Sequence, residues 1–177
     1  MTGDALQAMP AVLVVMGVSG SGKTTIGALS ADRLGWEFAD GDIFHPQANI
    51  EKMRGGNPLT DQDRRPWLEA IAAWIDEIRS AGKHAVVACS VLKRRYRAVV
   101  IGGRADVRLI YLQSDQALIA RRLEARHEHF MPSSLLQSQI EALEEPGMDE
   151  YPISVSIAPG PETIVEDILR RLPLIAK

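Results

Sequence analysis

The sequence has little of what would tie a protein to a membrane or an oxidising compartment. It contains one cysteine, Cys89, so no intramolecular disulfide can form, which is compatible with a reducing cytoplasm. The apolar run nearest the start, residues 11–16, is far shorter than the roughly 20 residues that cross a bilayer. Residues 1–10 carry Asp4 and no Lys or Arg, unlike a secretory signal, and we expect them to form a flexible leader.

The sequence also has no excess of positive charge. Its 177 residues include 20 Lys plus Arg against 23 Asp plus Glu, a formal net charge of −3. The basic run at 93–97 is too local to indicate nucleic-acid binding by itself, so we expect neither a nucleic acid nor a membrane as a partner. With 46% hydrophobic residues, the chain can bury one core, and we predict a single domain over 1–177.

Strand-like and helix-like segments alternate along the chain. The predicted strands are 11–16, 36–39, 85–89, 107–112 and 153–157. The predicted helices are 23–34, 46–56, 61–81, 92–101, 115–126, 133–143 and 161–172. This alternation predicts an α/β fold with a parallel sheet.

A phosphate-binding motif lies at the first strand–helix junction. Residues 17–24 fit the pattern G-x-x-x-x-G-K-[ST], with a buried strand before them and a helix after them. The glycines let successive N–H groups converge on phosphate oxygens beside the positive end of the helix. Lys23 would contact the β- and γ-phosphates, and Thr24 would reach Mg²⁺; a glycine-rich turn without a ligand needs neither residue. The residues predicted to hold the nucleotide are Gly17, Val18, Ser19, Gly20, Ser21, Gly22, Lys23, Thr24 and Thr25.

Two acids, Asp40 and Asp42, follow the second predicted strand, where open α/β sheets place ligands. One could hold Mg²⁺ while the other accepts a proton from an alcohol, although an Asp-Gly-Asp sequence is also typical of an ordinary turn. The strand 85–89 does not end in the Walker B acid that many P-loop ATPases carry. This absence favours Asp40 or Asp42 as the metal partner.

A series of short motifs extends this pattern over nearly the whole chain. They are Asp40-Gly-Asp42, His45-Pro46, Asn49, Lys52-Met53, Gly56, Pro58-Leu59, Asp61-x-Asp63-Arg64-x-Pro66-Trp67-Leu68, Cys89-Ser90-x-Leu92-Lys93, Tyr96-Arg97, Arg122-x-x-x-Arg126, His129-Phe130, Ser138-Gln139 and Leu143-Glu144-x-Pro146. In this order the motifs closely resemble the bacterial gluconokinases. One conservative departure is Val91, where that family frequently has Ala.

The resemblance implies an enzyme that uses ATP and Mg²⁺ to phosphorylate D-gluconate at its 6-hydroxyl, giving 6-phospho-D-gluconate and ADP. It implies a nucleoside-monophosphate-kinase-like P-loop NTPase fold of three α/β/α layers, with five parallel strands in the order 2-3-1-4-5. A lid at about 127–134 and a substrate-side segment at about 43–66 complete the expected domain. Similar enzymes are commonly homodimers, and we expect a cytoplasmic homodimer here.

The acids and the arginines take expected roles in this scheme. We assign Asp42 as the base for the 6-hydroxyl and Thr24 with Asp40 as the metal ligands. Arg122 and Arg126 lie four residues apart on one helix face. The resemblance makes Arg122 an adenine-stacking residue and Arg126 a phosphate clamp, whereas a solvated charged face is the plainer interpretation. Lys23, Asp42 and Arg126 form the expected catalytic set.

Four basic residues are candidates for binding the substrate carboxylate as a cationic cleft. They are, in order of preference, His45, Arg64, Lys93 and Arg97. Taken singly, each of these residues is more simply interpreted as a solvated surface charge. Cys89 is predicted to be an inert core thiol, and Trp67 and Trp74 share a helix face that packs in the core or in a dimer.

Other functions stay open on the sequence alone. A shikimate- or adenylate-type kinase would share the P-loop, the acids and the lid. A non-catalytic nucleotide-binding module would share only the P-loop, and the paired acids argue against it.

Overall fold

The computed structural model describes residues 9–125 and 133–173, with the side chains of residues 133 and 134 left out. The strands are β1 Val12–Met16, β2 Glu37–Asp40, β3 Ala85–Ala88, β4 Val107–Gln113 and β5 Ile153–Ser156. The helices are α1 Lys23–Leu34, α2 Gln47–Arg54, α3 Asp61–Ser80, α4 Arg94–Val100, α5 Gln116–Ala125, α6 Ser133–Ala142 and α7 Pro161–Arg171. Short 3₁₀ helices lie at Gly41–Phe44 and Met148–Glu150.

The five strands form one parallel sheet in the order β2-β3-β1-β4-β5, which confirms the predicted order. All five residues of the central strand β1 are fully buried, because helices cover both faces of the sheet. Apolar residues of α3 and α4 pack on one face, and those of α1, α5 and α7 pack on the other. The result is the expected three-layer arrangement. Among the described residues, no helix is both long and apolar enough to cross a membrane.

The core explains three side chains that the sequence singled out. Cys89 is buried in the α3–α4 half of the core, and burial raises the pKa of its thiol to about 12, so the thiol is inert as predicted. Trp67 is fully buried, and its indole Nε1 donates a hydrogen bond to the carbonyl of Gly41 at 2.8 Å. Trp74 packs against Phe44, with ring centroids 5.8 Å apart, at the border of the same core.

Two local predictions were wrong. The leader was expected to include residues 9 and 10, but Met9 packs on the core and Pro10 is buried, with its carbonyl accepting a hydrogen bond from His84 Nδ1 at 3.1 Å. Residues 1–8 lie outside the described residues. Helix α4 begins at Arg94 rather than at Leu92. Leu92 is instead buried in the core and its carbonyl accepts a hydrogen bond from Arg97, which holds it outside the helix.

Candidate active site

The phosphate-binding loop connects β1 to α1 at the carboxyl edge of the sheet. Gly20 and Gly22 have φ angles of +81° and +95°, a left-handed conformation that glycine adopts without strain. A Cβ at Gly17 would lie 2.5 Å from Ser21 Oγ, so the loop also needs glycine there for lack of space. Lys23 folds back over the loop, where its Nζ donates to the Val18 carbonyl at 3.1 Å. The sequence pattern therefore builds the phosphate cradle that it predicted.

Lys23 is linked electrostatically to the two acids. Burial lowers the pKa of its ammonium group, and the carboxylates of Asp42 and Asp40 act against that shift. The larger of these two effects comes from Asp42. Both carboxylates therefore lie close enough to Lys23 for their charges to favour its charged form.

The acidic turn is held in place by its neighbours. Asp40 ends β2, and its two carboxylate oxygens accept hydrogen bonds from Thr24 Oγ1 at 2.7 Å and from the N–H of Asp42 at 3.0 Å. A Cβ on Gly41 would lie 2.7 Å from the Ala88 carbonyl oxygen and 2.6 Å from Cys89 Cβ. Glycine between the acids thus lets the turn lie directly against β3, which fixes the direction of both carboxylates.

A cleft of about 240 Å³ separates the loop from the acidic turn and the residues that follow it. Its loop side is lined by Ser19, Gly20, Lys23 and Thr24. Its opposite side is lined by Asp40, Asp42, His45 and Arg64, with Met53, Pro58 and Leu59 as the apolar part of the wall. The structure therefore brings together the predicted phosphate, metal, base and carboxylate-binding residues in one cavity, with the exceptions described below.

Arg64 lines the cleft with a positive charge that has no ion-pair partner among the described residues. Its Nε is buried without a hydrogen-bond partner, and within the described residues its guanidinium forms no ion pair. Its Cζ lies 5.5 Å from the ring centroid of Tyr96, which supports the guanidinium by a cation–π contact. Because a buried, unpartnered guanidinium N–H is costly, an anionic ligand in the cleft would be stabilised there.

His45 is held as a neutral hydrogen-bond donor. Its ring stacks on Trp67, with centroids 4.4 Å apart and planes 9° from parallel. Asn49 Nδ2 donates to the Asp63 carbonyl at 2.8 Å, and this same NH₂ group faces His45 Nδ1 at 3.3 Å. Nδ1 must therefore accept, which leaves the ring proton on Nε2.

The charge state of His45 differs from the sequence-based expectation. Burial, with a smaller contribution from the charge of Arg64, lowers the pKa of His45 to about 4. The ring is therefore neutral at neutral pH, and the prediction of a cation at this position is wrong. His45 can still bind an oxygen of a ligand through its Nε2–H.

The other two basic candidates lie apart from the cleft. Lys93 Nζ is 3.6 Å from Asp61 Oδ1, and Lys93 is not among the residues that line the cleft. Arg97 is almost completely buried and forms a paired contact with Glu150, with Nε–Oε2 and Nη2–Oε1 distances of 2.6 and 2.9 Å. Its Nη1 lies 3.0–3.2 Å from three backbone carbonyl oxygens that share its two hydrogens, and Arg97 lines a separate groove of about 650 Å³. This corrects the prediction that Arg97 binds the substrate, because all its nitrogens already serve structural contacts.

Of the two arginines predicted to bind the nucleotide, the structure describes only Arg122, which lies on α5. Arg122 Nη2 donates to the Ile157 carbonyl at 2.7 Å, just beyond the end of β5, and its adenine-stacking role stays a prediction. Leu123, its neighbour on α5, lines the cleft beside Gly20. Arg126 and residues 127–132 of the predicted lid lie outside the described residues.

Comparison with known proteins identifies the family. A family model described as an AAA domain matches residues 12–146. The gluconokinase of Gluconobacter oxydans is 48% identical over 161 residues, covering 91% of this chain and 90% of that protein. The thermoresistant gluconokinase of Escherichia coli is 42% identical over 144 residues, covering 81% of this chain and 82% of that protein. The chain belongs to the gluconokinase family.

Solved structures agree with this assignment. A gluconokinase from Sinorhizobium meliloti superimposes with a TM-score of 0.83 at 41% identity, covering 92% of this chain and 91% of the other. A sugar kinase from Janibacter superimposes with a TM-score of 0.86 at 45% identity, covering 91% and 93%. Shikimate kinase from Aquifex aeolicus shares only 14% identity at a TM-score of 0.55, which shows a common fold. This gluconokinase-family chain is therefore a P-loop kinase, and its family membership argues against the non-catalytic alternative.

Sequence reasoning gave no role in the site to three residues that shape it, although Trp67 was expected in the core or in a dimer contact. Trp67 and Asn49 orient His45 and the acidic turn, and Gln139 on α6 contacts the phosphate loop at Ser19. Asn49, Trp67 and Gln139 all belong to the motifs that carry the family resemblance. That membership was the only signal available, because their partners lie far away or in irregular segments.

Proposed function

We propose that this kinase transfers the γ-phosphoryl group of ATP to the 6-hydroxyl of D-gluconate, giving 6-phospho-D-gluconate and ADP. The observation that carries the proposal is the single cleft in which the phosphate loop faces Asp42, His45 and Arg64. The names of the relatives, gluconokinases at 42–48% identity, support the choice of acceptor.

The acceptor side of the cleft suits a polyhydroxy carboxylate. Arg64 offers a guanidinium whose buried Nε–H has no hydrogen-bond partner in the part of the chain that the structure describes, and a guanidinium matches a carboxylate. His45 offers its Nε2–H to a hydroxyl oxygen, and Asp42 offers an acceptor to a hydroxyl proton. A sugar acid bound in this way would present its terminal alcohol to the phosphate loop.

Thr24 and Asp40 fit a magnesium ion. Their hydroxyl and carboxylate oxygens lie 2.7 Å apart, and hard oxygen ligands are those that Mg²⁺ prefers. When bound, the ion would neutralise charge on the nucleotide phosphates. Asp40 is already oriented for this role by the Asp42 N–H.

In the chemical step, Asp42 accepts the proton of the 6-hydroxyl as the alcohol oxygen forms a bond to the γ-phosphorus. The bond between that phosphorus and the β–γ bridging oxygen breaks, and its electron pair leaves with ADP. Lys23 stabilises the charge on the phosphate oxygens, and Arg126 keeps its predicted role as a clamp. Catalysis thus rests on positioning and charge stabilisation.

A substrate panel tests the proposal. ADP release is measured with D-gluconate, other aldonates, shikimate and AMP as acceptors, and the product is identified by ³¹P and ¹³C NMR. Gluconate should give the highest kcat/KM and a product phosphorylated at carbon 6. A higher kcat/KM with shikimate or AMP, or phosphate at another carbon, would contradict it.

We also propose a cytoplasmic homodimer. Met148 and Tyr151 are 92% and 72% exposed and lie at the start and the C-cap of one 3₁₀ turn, where a second copy would cover both side chains. Light scattering should give twice the chain mass of 19.4 kDa, and a Met148→Lys variant should shift the mass to that of one chain. A wild-type mass of one chain would contradict the dimer.

A further inference from the structure

Gln139 forms a two-point contact with the phosphate loop. Its Oε1 accepts a hydrogen bond from the backbone N–H of Ser19 at 2.8 Å, and its Nε2 donates to Ser19 Oγ at 3.0 Å. Gln139 lies on α6, the helix that follows residues 126–132 in the chain, and it lines the cleft together with Lys23 and Asp42. The contact therefore joins α6 directly to the nucleotide half of the site.

This contact uses a group that a phosphate also needs. Ser19 is the third residue of the phosphate loop, whose successive N–H groups point at phosphate oxygens in such loops. One N–H directs its hydrogen to one strong acceptor, and a charged phosphate oxygen is a stronger acceptor than an amide oxygen. A phosphate in the cradle would therefore take the Ser19 N–H from Gln139.

We propose that Gln139 is a catalytic residue that yields the Ser19 N–H to the nucleotide and then donates a hydrogen bond from its NH₂ group to the transferred γ-phosphoryl group. Gln139 lines the cleft together with Lys23 and Asp42, and its NH₂ group, which donates to Ser19 Oγ in this structure, is a neutral donor that can change partner. The exchange links α6, with Leu135 on the same cleft wall, to the presence of the γ-phosphate. This inference rests on the proposed function only for the identity of the phosphoryl acceptor.

Two substitutions at this position separate the proposal from a structural role. Gln139→Ala removes both the competitor for the Ser19 N–H and the donor to the phosphoryl group. Its affinity for the non-hydrolysable analogue AMPPNP should stay within about twofold of wild type or become tighter, while kcat falls about tenfold or more. Gln139→Glu keeps an acceptor for the N–H but adds a negative charge. It should weaken AMPPNP binding about tenfold and ADP binding much less, because ADP has no γ-phosphate.

The matched control is Gln137→Ala. Gln137 lies on the same helix, is exposed, and donates to Glu141 Oε1 at 2.9 Å, so wild-type affinity and kcat are expected. The measurements are calorimetric titrations with AMPPNP and ADP, thermal unfolding, and kcat for ADP release.

Three results would overturn the proposal. They are a Gln139→Ala kcat within twofold of wild type, a loss of its AMPPNP affinity beyond about threefold, or an equal loss of AMPPNP and ADP affinity in Gln139→Glu. The titrations contain no sugar acid. If gluconate is not the acceptor, the wild-type protein will be inactive with gluconate. The AMPPNP and ADP affinities of the variants would still test the role of Gln139.

Discussion

Protonation states set by neighbouring groups decide what single side chains can do in this cleft. Burial, with a smaller contribution from the charge of Arg64, leaves His45 neutral, and the Asn49 amide places its ring proton on Nε2. Lys23 is desolvated but lies close to two carboxylates that favour its charged form. The sequence named these residues, but it could not show which hydrogen bonds and charges surround them.

Asp42 is expected to act on the chemical step and not on nucleotide binding. Asp42→Asn keeps the size of the side chain but removes the proton acceptor, so kcat should fall by about 10²–10⁴-fold with little change in ATP affinity. Coupled ADP release gives kcat, and calorimetric titration with AMPPNP gives the affinity. A near-normal turnover would remove Asp42 as the base.

His45 gives a pH dependence of stability with a defined sign. Its pKa is about 4 in the folded protein against 6.5 for the free side chain, so between these values the unfolded chain binds the extra proton. The contribution of His45 to stability is therefore fully present above pH 6.5 and is lost as the pH falls towards about 4.

Urea unfolding between pH 4 and pH 7.5 checks this expectation. His45→Gln should show a shallower loss of unfolding free energy on acidification than wild type, because the titrating group is gone. The matched control is His84→Gln, at a histidine that stacks on Trp36 outside the cleft. This variant should keep the loss of stability that His45 causes on acidification, because His45 is still present. Equal slopes for wild type and His45→Gln would show that the ring is not held neutral.

Short 3₁₀ turns position the side chains of the site as much as the long helices and strands do. The 3₁₀ helix Gly41–Phe44 directs Asp42 and leads into His45, and it is fixed between β3 and Trp67 of α3. Apolar periodicity predicts long elements such as α3 because burial repeats at regular spacing. It gives no signal for a single 3₁₀ turn whose position depends on tertiary contacts.

Gly41→Ala should disturb this turn. The added Cβ meets the Ala88 carbonyl oxygen and Cys89 Cβ at distances that real atoms avoid, so the turn must move and both carboxylates move with it. We expect a loss of about 1–3 kcal/mol in unfolding free energy and a fall in kcat of about 10²-fold. Urea unfolding and ADP release measure the two effects.

The control for this substitution is Gly103→Ala. A Cβ at Gly103 meets nothing within 4 Å, and this glycine has no positive φ, so stability and kcat should be unchanged. A Gly41→Ala protein with wild-type kcat would show that the acids tolerate a displaced turn.

Arg64 and Arg97 were both predicted to bind the substrate carboxylate, but substitutions at the two positions should have different effects. Arg97→Met removes the two-point ion pair with the mostly buried Glu150, so the unfolding free energy should drop by about 3–5 kcal/mol, while the KM for gluconate in the folded protein stays near wild type. Arg64→Met removes the uncommitted guanidinium, so the KM for gluconate should rise about 100-fold with little loss of stability.

Steady-state kinetics at a temperature where both variants are folded, together with urea unfolding, separate these effects. The opposite pattern, a raised KM in Arg97→Met or a destabilised Arg64→Met with normal KM, would contradict the assignment of the two arginines.

For the whole molecule, the sequence predicted the architecture well, but it predicted poorly which residues far apart in the chain would contact each other. The apolar runs gave the strands because a parallel sheet covered on both faces buries every residue, as in β1. The strand order came from the family resemblance. Nothing in the local pattern showed that Arg97 would meet Glu150, 53 residues later, because such pairing appears only when the chain is folded.

The two walls of the cleft are built on different parts of the sheet, and this division has an evolutionary consequence. The nucleotide wall follows β1, whereas the acceptor wall follows β2 and is supported by α3 through Trp67. If residues 43–66 bind the acceptor as proposed, we expect mutations there to alter which molecule receives the phosphate without rebuilding the machinery that handles the nucleotide. Descendants of such a chain could acquire new acceptors in small steps, with the energy source of the reaction kept unchanged throughout.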